Sequence, residues 1–109
     1  MKKIIITGGA GFIGSHLIEK LIKTEIDEIL VIDDLSTGKS ANLSKFIDSN
    51  KVKFINKKVE DVQNLGETFE GYDFCYHLAA GVGVQYIMEN LSKSLLTNIL
   101  ATHEVFEAC

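Results

Sequence analysis

The chain has 109 residues, 46% of them hydrophobic and 24% charged, with no proline, a balance that excludes disordered and collagen-like segments and leaves room for one core. Its formal net charge is −4 and all 11 basic residues are lysines scattered along the chain; without arginine forks or a basic stripe, nucleic acid is excluded as the expected partner. Two cysteines, Cys75 inside an apolar run and Cys109, suit neither a disulfide framework nor a metal cluster and point to a reducing compartment, the cytoplasm.

Lys2 and Lys3 ahead of Ile4–Gly14 imitate a secretion signal, but Thr7 and the glycines interrupt the apolar stretch and no small-residue cleavage site follows. No run reaches the ~18 apolar residues of a membrane helix, so the chain is expected to be soluble from residue 1, with no membrane partner. Lys3–Thr7 (KIIIT) is a continuous apolar run with glycine behind it, the pattern of a strand buried on both faces of a parallel sheet. Phe12–Lys23 spaces Ile13, Leu17 and Leu21 by four, with Ile18 and Ile22 beside them and Glu19, Lys20 and Lys23 outside the stripe, which predicts an amphipathic helix. Glu28–Asp33 (EILVID) repeats the buried-strand pattern, and Ser36, Thr37 and Gly38 are turn chemistry ahead of a short helix over Ala41–Asp48. Val52–Asn56 predicts a third strand. Asp61–Phe69 predicts a helix weakened by Gly66, and Tyr72–Ala80 a fourth strand whose aromatic residues Tyr72, Phe74 and Tyr76 are expected to pack between sheet and helices. Leu91–Ala108 predicts a last helix with Leu95, Leu96, Ile99, Leu100, Val105 and Phe106 largely on one side.

Strands and helices in strict alternation require long crossovers and hence a parallel sheet. Right-handed connections then give an α/β, doubly wound sheet in the order 3-2-1-4. Strands one and four are neighbours in that order, and their connections leave towards opposite faces. Ligand chemistry therefore belongs on the loops at their carboxyl ends, Thr7–Gly14 and Ala79–Val84.

The first of these loops reads Thr7-Gly8-Gly9-Ala10-Gly11-Phe12-Ile13-Gly14, which satisfies G-x-G-x-x-G directly between a predicted strand and a predicted helix. The early glycines allow a tight turn, Gly11 lets backbone N–H groups approach a pyrophosphate, and Gly14 lets the helix pack closely on the strand. Partial positive charge at the helix start replaces the lysine that the loop lacks. Asp33, 19 residues beyond Gly14, stands at the end of the second strand, where a carboxylate accepts hydrogen bonds from an adenosine ribose.

TGGAGFIGSHL at 7–17, VIDDLSTG at 31–38, the Glu60-Asp61-Val62 triplet, HLAA at 77–80 and Thr97-Asn98 resemble, in order and spacing, the N-terminal part of extended short-chain dehydrogenase/reductases. The nearest likeness is to NAD-dependent nucleotide-sugar epimerases and dehydratases of the UDP-glucose 4-epimerase type. The resemblance implies a Rossmann-type NAD-binding domain over 1–109, incomplete relative to the full family fold. It implies that Gly8, Gly11, Phe12, Ile13 and Gly14 cradle the pyrophosphate and Asp33 the ribose. Asp34, Ser36, Thr37 and Gly38 would border the adenosine, and Asp61 and Val62 the adenine edge. Leu78, Ala79 and Ala80 would line the path to the nicotinamide, with Asn98 supporting it. Asp34 departs from the asparagine frequent in the family. Relatives continue into a catalytic Ser/Thr, a Tyr-x-x-x-Lys pair and a sugar-nucleotide region, and no Tyr-x-x-x-Lys occurs in these residues, so no catalytic residue is expected here.

Cys75 and His77 share a strand face but lack further ligands nearby in sequence, so no metal is expected, and His16 and His103 read as surface or packing residues. Three functions stay open at this point. They are the NAD-holding portion of an epimerase or dehydratase acting on a nucleotide sugar, a non-catalytic dinucleotide-binding module or truncated remnant, and another Rossmann enzyme such as an S-adenosylmethionine methyltransferase, against which HLAA and Asp61 argue. Asp33 predicts NAD over NADP. The outer edge of the fourth strand, Phe74–Leu78, is expected to lack a neighbour and to permit self-association.

Overall fold

The computed structural model describes residues 2–35, 38–47, 50–79, 99 and 102–109. Four parallel strands, β1 (Lys2–Thr7), β2 (Ile26–Ile32), β3 (Val52–Ile55) and β4 (Phe74–His77), form one sheet in the order β3-β2-β1-β4. The expected doubly wound, Rossmann-type order is the one observed. Register pairs Ile5 with Leu30 and with Cys75, and Leu30 with Lys53, so all four strands end on the same side of the molecule.

The apolar runs of β1 and β2 are buried on both faces because side chains alternate across the pleat. Ile4, Ile6, Ile29 and Val31 point into one cluster with Ile18, Leu43 and Phe46, whereas Ile5, Leu30 and Ile32 enter the other with Val59, Leu65, Phe69 and Val105. Helices α1 (Phe12–Leu21) and α2 (Ser44–Ile47) supply the first layer; α3 (Leu65–Phe69) and the helix over 102–108 supply the second.

Several boundaries differ from the sequence expectation for local reasons. Helix α1 stops at Leu21 because the Thr24 amide and hydroxyl both donate to the Leu21 carbonyl, at 2.9 and 2.7 Å, and close the chain into a tighter turn. The helix expected over Ala41–Asp48 divides into a 3-10 turn (Ser40–Asn42) and α2, so that Leu43 and Phe46, three apart, both reach the core. The helix expected over Asp61–Phe69 is broken at Asn64, which adopts a left-handed conformation (φ 55°, ψ 49°) that asparagine tolerates better than most residues. A 3-10 turn (Val59–Asp61) precedes the break and only α3 follows it.

Two packing expectations are corrected. Phe74 and Tyr76 lie on the α1 side of β4, in register with Ile4 and Ile6, yet they are 50% and 42% exposed, because α1 covers β1 and β2 and leaves the outer strand bare. With Lys2, Ile4, Leu21 and Thr24 they line a groove of about 390 Å³. Of the expected pair on the last helix, Val105 is buried while Phe106 is 76% exposed, as is Ile99 at 58%; adjacent residues stand ~100° apart on a helix and cannot both face inward. The remainder of that predicted helix, 91–98 and 100–101, lies outside the described residues. No helix among the described residues is long and apolar enough to cross a membrane.

Candidate functional site

The connection from β1 to α1 turns sharply at Gly8, whose φ is +73°, a region glycine enters without steric cost. The Gly8 amide donates to the Ile32 carbonyl at 2.8 Å and so ties the loop to the end of β2. Gly14 sits in the first turn of α1 with its Cα turned to the loop; a Cβ there would lie 2.4 Å from the Gly8 oxygen and 2.7 Å from the Gly9 Cα. Helix and loop are therefore in backbone contact. Gly11 is the N-cap with extended φ and ψ, no side chain caps it, and the first turn holds no acidic residue. The amides of Phe12, Ile13 and Gly14 are the helix donors that have no intrahelical acceptor, and the Phe12 and Ile13 side chains beside them are 78% and 70% exposed. An anion placed there meets aligned N–H dipoles with no competing carboxylate in that turn.

Asp33 follows β2 and is 8% exposed. One carboxylate oxygen accepts from the Ala10 amide at 2.9 Å and the other from the Leu35 amide at 2.8 Å. Each oxygen retains a lone pair, so the group has accepting capacity for a hydroxyl beyond these two amides. The Leu35 contact holds a non-glycine residue at φ 64° and turns the chain after β2. The Ala10 carbonyl accepts from the Lys39 amide at 3.1 Å and from Asn42 Nδ2 at 2.7 Å, which brings the segment containing Gly38 against the glycine loop. Asn42 is a site-building residue that sequence reasoning missed; its partner is 32 positions away, and no local pattern marks such a contact.

At the end of β4 a polar chain joins three elements. Thr7, fully buried, accepts the Ala79 amide on Oγ1 at 3.1 Å and lies 2.6 Å from His77 Nδ1, while His77 Nε2 lies 3.2 Å from Thr102 Oγ1. Burial holds the His77 imidazole below its ordinary value, so the neutral ring is favoured. The Thr7 hydroxyl then donates to Nδ1, and Nε2–H donates to Thr102, the tautomer that gives both the Thr7 hydroxyl hydrogen and the ring N–H a partner. The Leu78 amide extends the β1 ladder to the Thr7 carbonyl at 3.0 Å, and the Leu78 and Ala79 backbones stand so close to Gly8 that a Cβ there would meet them at 2.8 Å.

Gly8, Gly11, Phe12, Ile13, Gly14, Asp33, Asp34, Gly38, Leu78 and Ala79 thus come together at the carboxyl ends of β1, β2 and β4. Asp61 and Val62 follow β3 at the same end; Asp61 is exposed, whereas the Val62 side chain packs against the second cluster. Ser36, Thr37, Ala80 and Asn98 lie outside the described residues. His16 is exposed, its Nδ1–H donating to the Phe12 carbonyl at 2.7 Å. The shifted groups at the opposite end of the sheet are structural. Lys53, 2.9 Å away, and the Tyr72 hydroxyl hold the Glu28 carboxyl below its ordinary value. Desolvation and then Glu28 raise the Tyr72 hydroxyl far above its own.

A family model described as GDP-mannose 4,6 dehydratase matches residues 5–109. The chain is 37% identical over 100 residues to a UDP-glucuronic acid decarboxylase 6 of Arabidopsis thaliana, covering 92% of this chain and 28% of the relative. It is 35% identical over 106 residues to a putative UDP-glucose 4-epimerase of Methanocaldococcus jannaschii, covering 95% and 32%. The dTDP-glucose 4,6-dehydratase DesIV of Streptomyces venezuelae, solved with NAD bound, superposes with a TM-score of 0.89 at 29% identity over 97% of this chain and 35% of that one. The chain spans about a third of the length of these relatives.

Proposed function

We propose, since the chain belongs to the GDP-mannose 4,6 dehydratase family, that its 109 residues are an NAD-binding domain serving hydride chemistry on a nucleotide sugar. The observation that carries this reading is the pairing of an uncapped helix start at Gly11 with the buried Asp33 carboxylate, joined through Ala10. The loop fits the cofactor: Gly8 and Gly14 let its backbone pack directly on the chain after β4 and on the first turn of α1, and the amides of Phe12, Ile13 and Gly14 at the uncapped helix start hold the pyrophosphate. Asp33 takes the ribose hydroxyls on its remaining lone pairs, with Asp34, Ser36, Thr37 and Gly38 around the adenosine and Asp61 and Val62 at the adenine edge. Leu78 and Ala79 line the path to the nicotinamide, and Ala80 and Asn98 are assigned to it on the family resemblance alone. NAD, when bound, accepts a hydride from a sugar carbon and returns it. Thr7 and His77 set the position of the Ala79 amide along that path. Two free thiols suit a cytoplasmic setting.

Calorimetric titration of the purified chain with NAD, NADP and S-adenosylmethionine tests the assignment. NAD binds, and NADP binds at least about tenfold more weakly, because its 2′-phosphate meets the Asp33 carboxylate with no arginine present to offset the repulsion. Equal or tighter NADP binding overturns the cofactor choice, and binding of S-adenosylmethionine alone overturns the functional class. With no Tyr-x-x-x-Lys among these residues, the chain incubated with NAD and UDP-, GDP- or dTDP-sugars yields no NADH absorbance and no epimerised product.

A further inference from the structure

The sequence places Cys75 and Cys109 34 positions apart, and the fold brings them together. Cys75 lies on the inner face of β4, opposite to Phe74 and Tyr76, and packs with Ala108 against the cluster that contains Val105. The Cys109 amide donates to the Val105 carbonyl at 2.9 Å. Cys109 therefore continues the helical path one turn beyond Val105, on the side that faces the sheet. Its thiol is the neighbouring group that acts on the Cys75 thiol. Cys109 is exposed and Cys75 half-buried, both as free thiols.

We propose that Cys75 and Cys109 are a paired-thiol modification site, which a low-molecular-weight disulfide of the glutathione class oxidises to an intramolecular disulfide that staples the last helix to β4. The Cys109 thiolate, the accessible one, attacks a sulfur of oxidised glutathione and expels one glutathione thiolate. Cys75 then releases its proton to solvent and its thiolate attacks Cys109 Sγ, expelling the second. Two protein thiols lose two electrons, one glutathione disulfide gains them, and the two thiol protons end on the two glutathione molecules.

The order of events follows from the surroundings. Burial, and then the neighbouring Cys109, push the Cys75 thiol up to about 12, so Cys109 reacts first. Once Cys109 Sγ is in the mixed disulfide its charge no longer opposes ionisation of Cys75, but burial, the larger cause, still keeps the Cys75 thiolate scarce; ring closure is the slow step, and the glutathione adduct on Cys109 accumulates first. The closed disulfide shares its helix with Thr102, the partner of His77, so it fixes the same helix to β4 at a second point, two residues before His77.

The test is intact-mass measurement of the reduced 109-residue chain incubated with oxidised glutathione at pH 7, 8 and 9. The expected sequence is an adduct about 305 Da heavier, then a monomer about 2 Da lighter than the reduced chain, closing about tenfold faster per pH unit. The closed form melts at least about 5 °C higher than the reduced form. Cys109→Ser, an exposed change that leaves the fold intact, forms neither species, and Cys75→Ala stops at the adduct. An adduct on Cys109 that persists at pH 9, a disulfide-linked dimer in place of the closed monomer, or a closed form with an unchanged melting temperature each overturns the proposal. No step involves NAD, so a failure here is distinct from a failure of the cofactor assignment.

Discussion

Replacing Asp33 by alanine separates the loop-holding that the structure shows from the ribose contact proposed for this carboxylate. In the folded chain it accepts from the amides of Ala10, at 2.9 Å in a buried setting, and Leu35, at 2.8 Å in a part-buried one. A hydrogen bond to a charged group contributes about 1.5–3 kcal/mol, and an orphaned buried donor costs a similar amount. Asp33→Ala should therefore destabilise the chain by about 3–5 kcal/mol, in the lower part of the simple sum because water reaches the Leu35 amide. Against a typical domain stability of about 5–15 kcal/mol that is a large share, and the urea midpoint should fall accordingly. Asp33→Asn keeps one acceptor oxygen and should lose about half as much. Loss of the ribose contact should further weaken NAD by about 1.5–3 kcal/mol, roughly 10- to 150-fold, in calorimetry on the folded protein. Urea unfolding of Asp33→Ala within about 1 kcal/mol of the parent would refute the loop-holding role. Unchanged NAD affinity in a variant that remains folded would refute the ribose role.

Gly14→Ala forces a Cβ to within 2.4 Å of the Gly8 oxygen, so it should cost about 1–3 kcal/mol in urea unfolding and weaken NAD at least tenfold by moving the helix start. Gly66→Ala, where nothing lies within 4 Å of the added carbon, should instead stabilise by about 0.5–1 kcal/mol, and a destabilised Gly66→Ala would discredit the steric contrast. His77 has its folded-state value lowered from 6.5. As pH falls below about 6.5 the unfolded chain therefore takes up a proton that the folded chain refuses, and stability drops through that window while staying flat from this source above it. His77→Gln should flatten the slope between pH 7 and 5 in urea titrations, and an unaltered slope would remove His77 as its cause. The exposed Phe74 and Tyr76 on β4 should drive concentration-dependent association in sedimentation experiments, relieved in Tyr76→Lys; a parent chain monomeric at all concentrations counts against it.

What was legible in the sequence was whatever depends on near neighbours. KIIIT and EILVID announce strands covered on both faces because every position is apolar, and the glycine loop between β1 and α1 fixes both the turn and the helix start. The strand order followed from the alternation of strands and helices together with right-handed connections. Phe74 and Tyr76 were misread because alternating aromatic residues report a strand but not whether a helix covers its outer face. Asn64 broke a helix that periodicity extended through it, since propensity only weakly opposes a left-handed asparagine. The tie from Asn42 to Ala10 and the meeting of Cys75 with Cys109 span long stretches of chain and are set by packing of whole elements, which no local pattern encodes.

The same distinction explains how the site is organised. The glycine loop has few side chains of its own with which to hold a shape, so polar groups from elsewhere hold it. Asp33 after β2 binds the Ala10 amide, Asn42 binds the Ala10 carbonyl, and Thr7 at the end of β1 binds the Ala79 amide beyond β4. Ala10 is thereby clamped through both its peptide groups, one facing Asp33 and one the segment after β2. A shift of the loop must break at least one of these bonds, at about 0.5–3 kcal/mol each, before any ligand arrives. Donors fixed in advance spare a bound anion the cost of ordering them, which is how a loop without a single lysine or arginine can serve as an anion cradle.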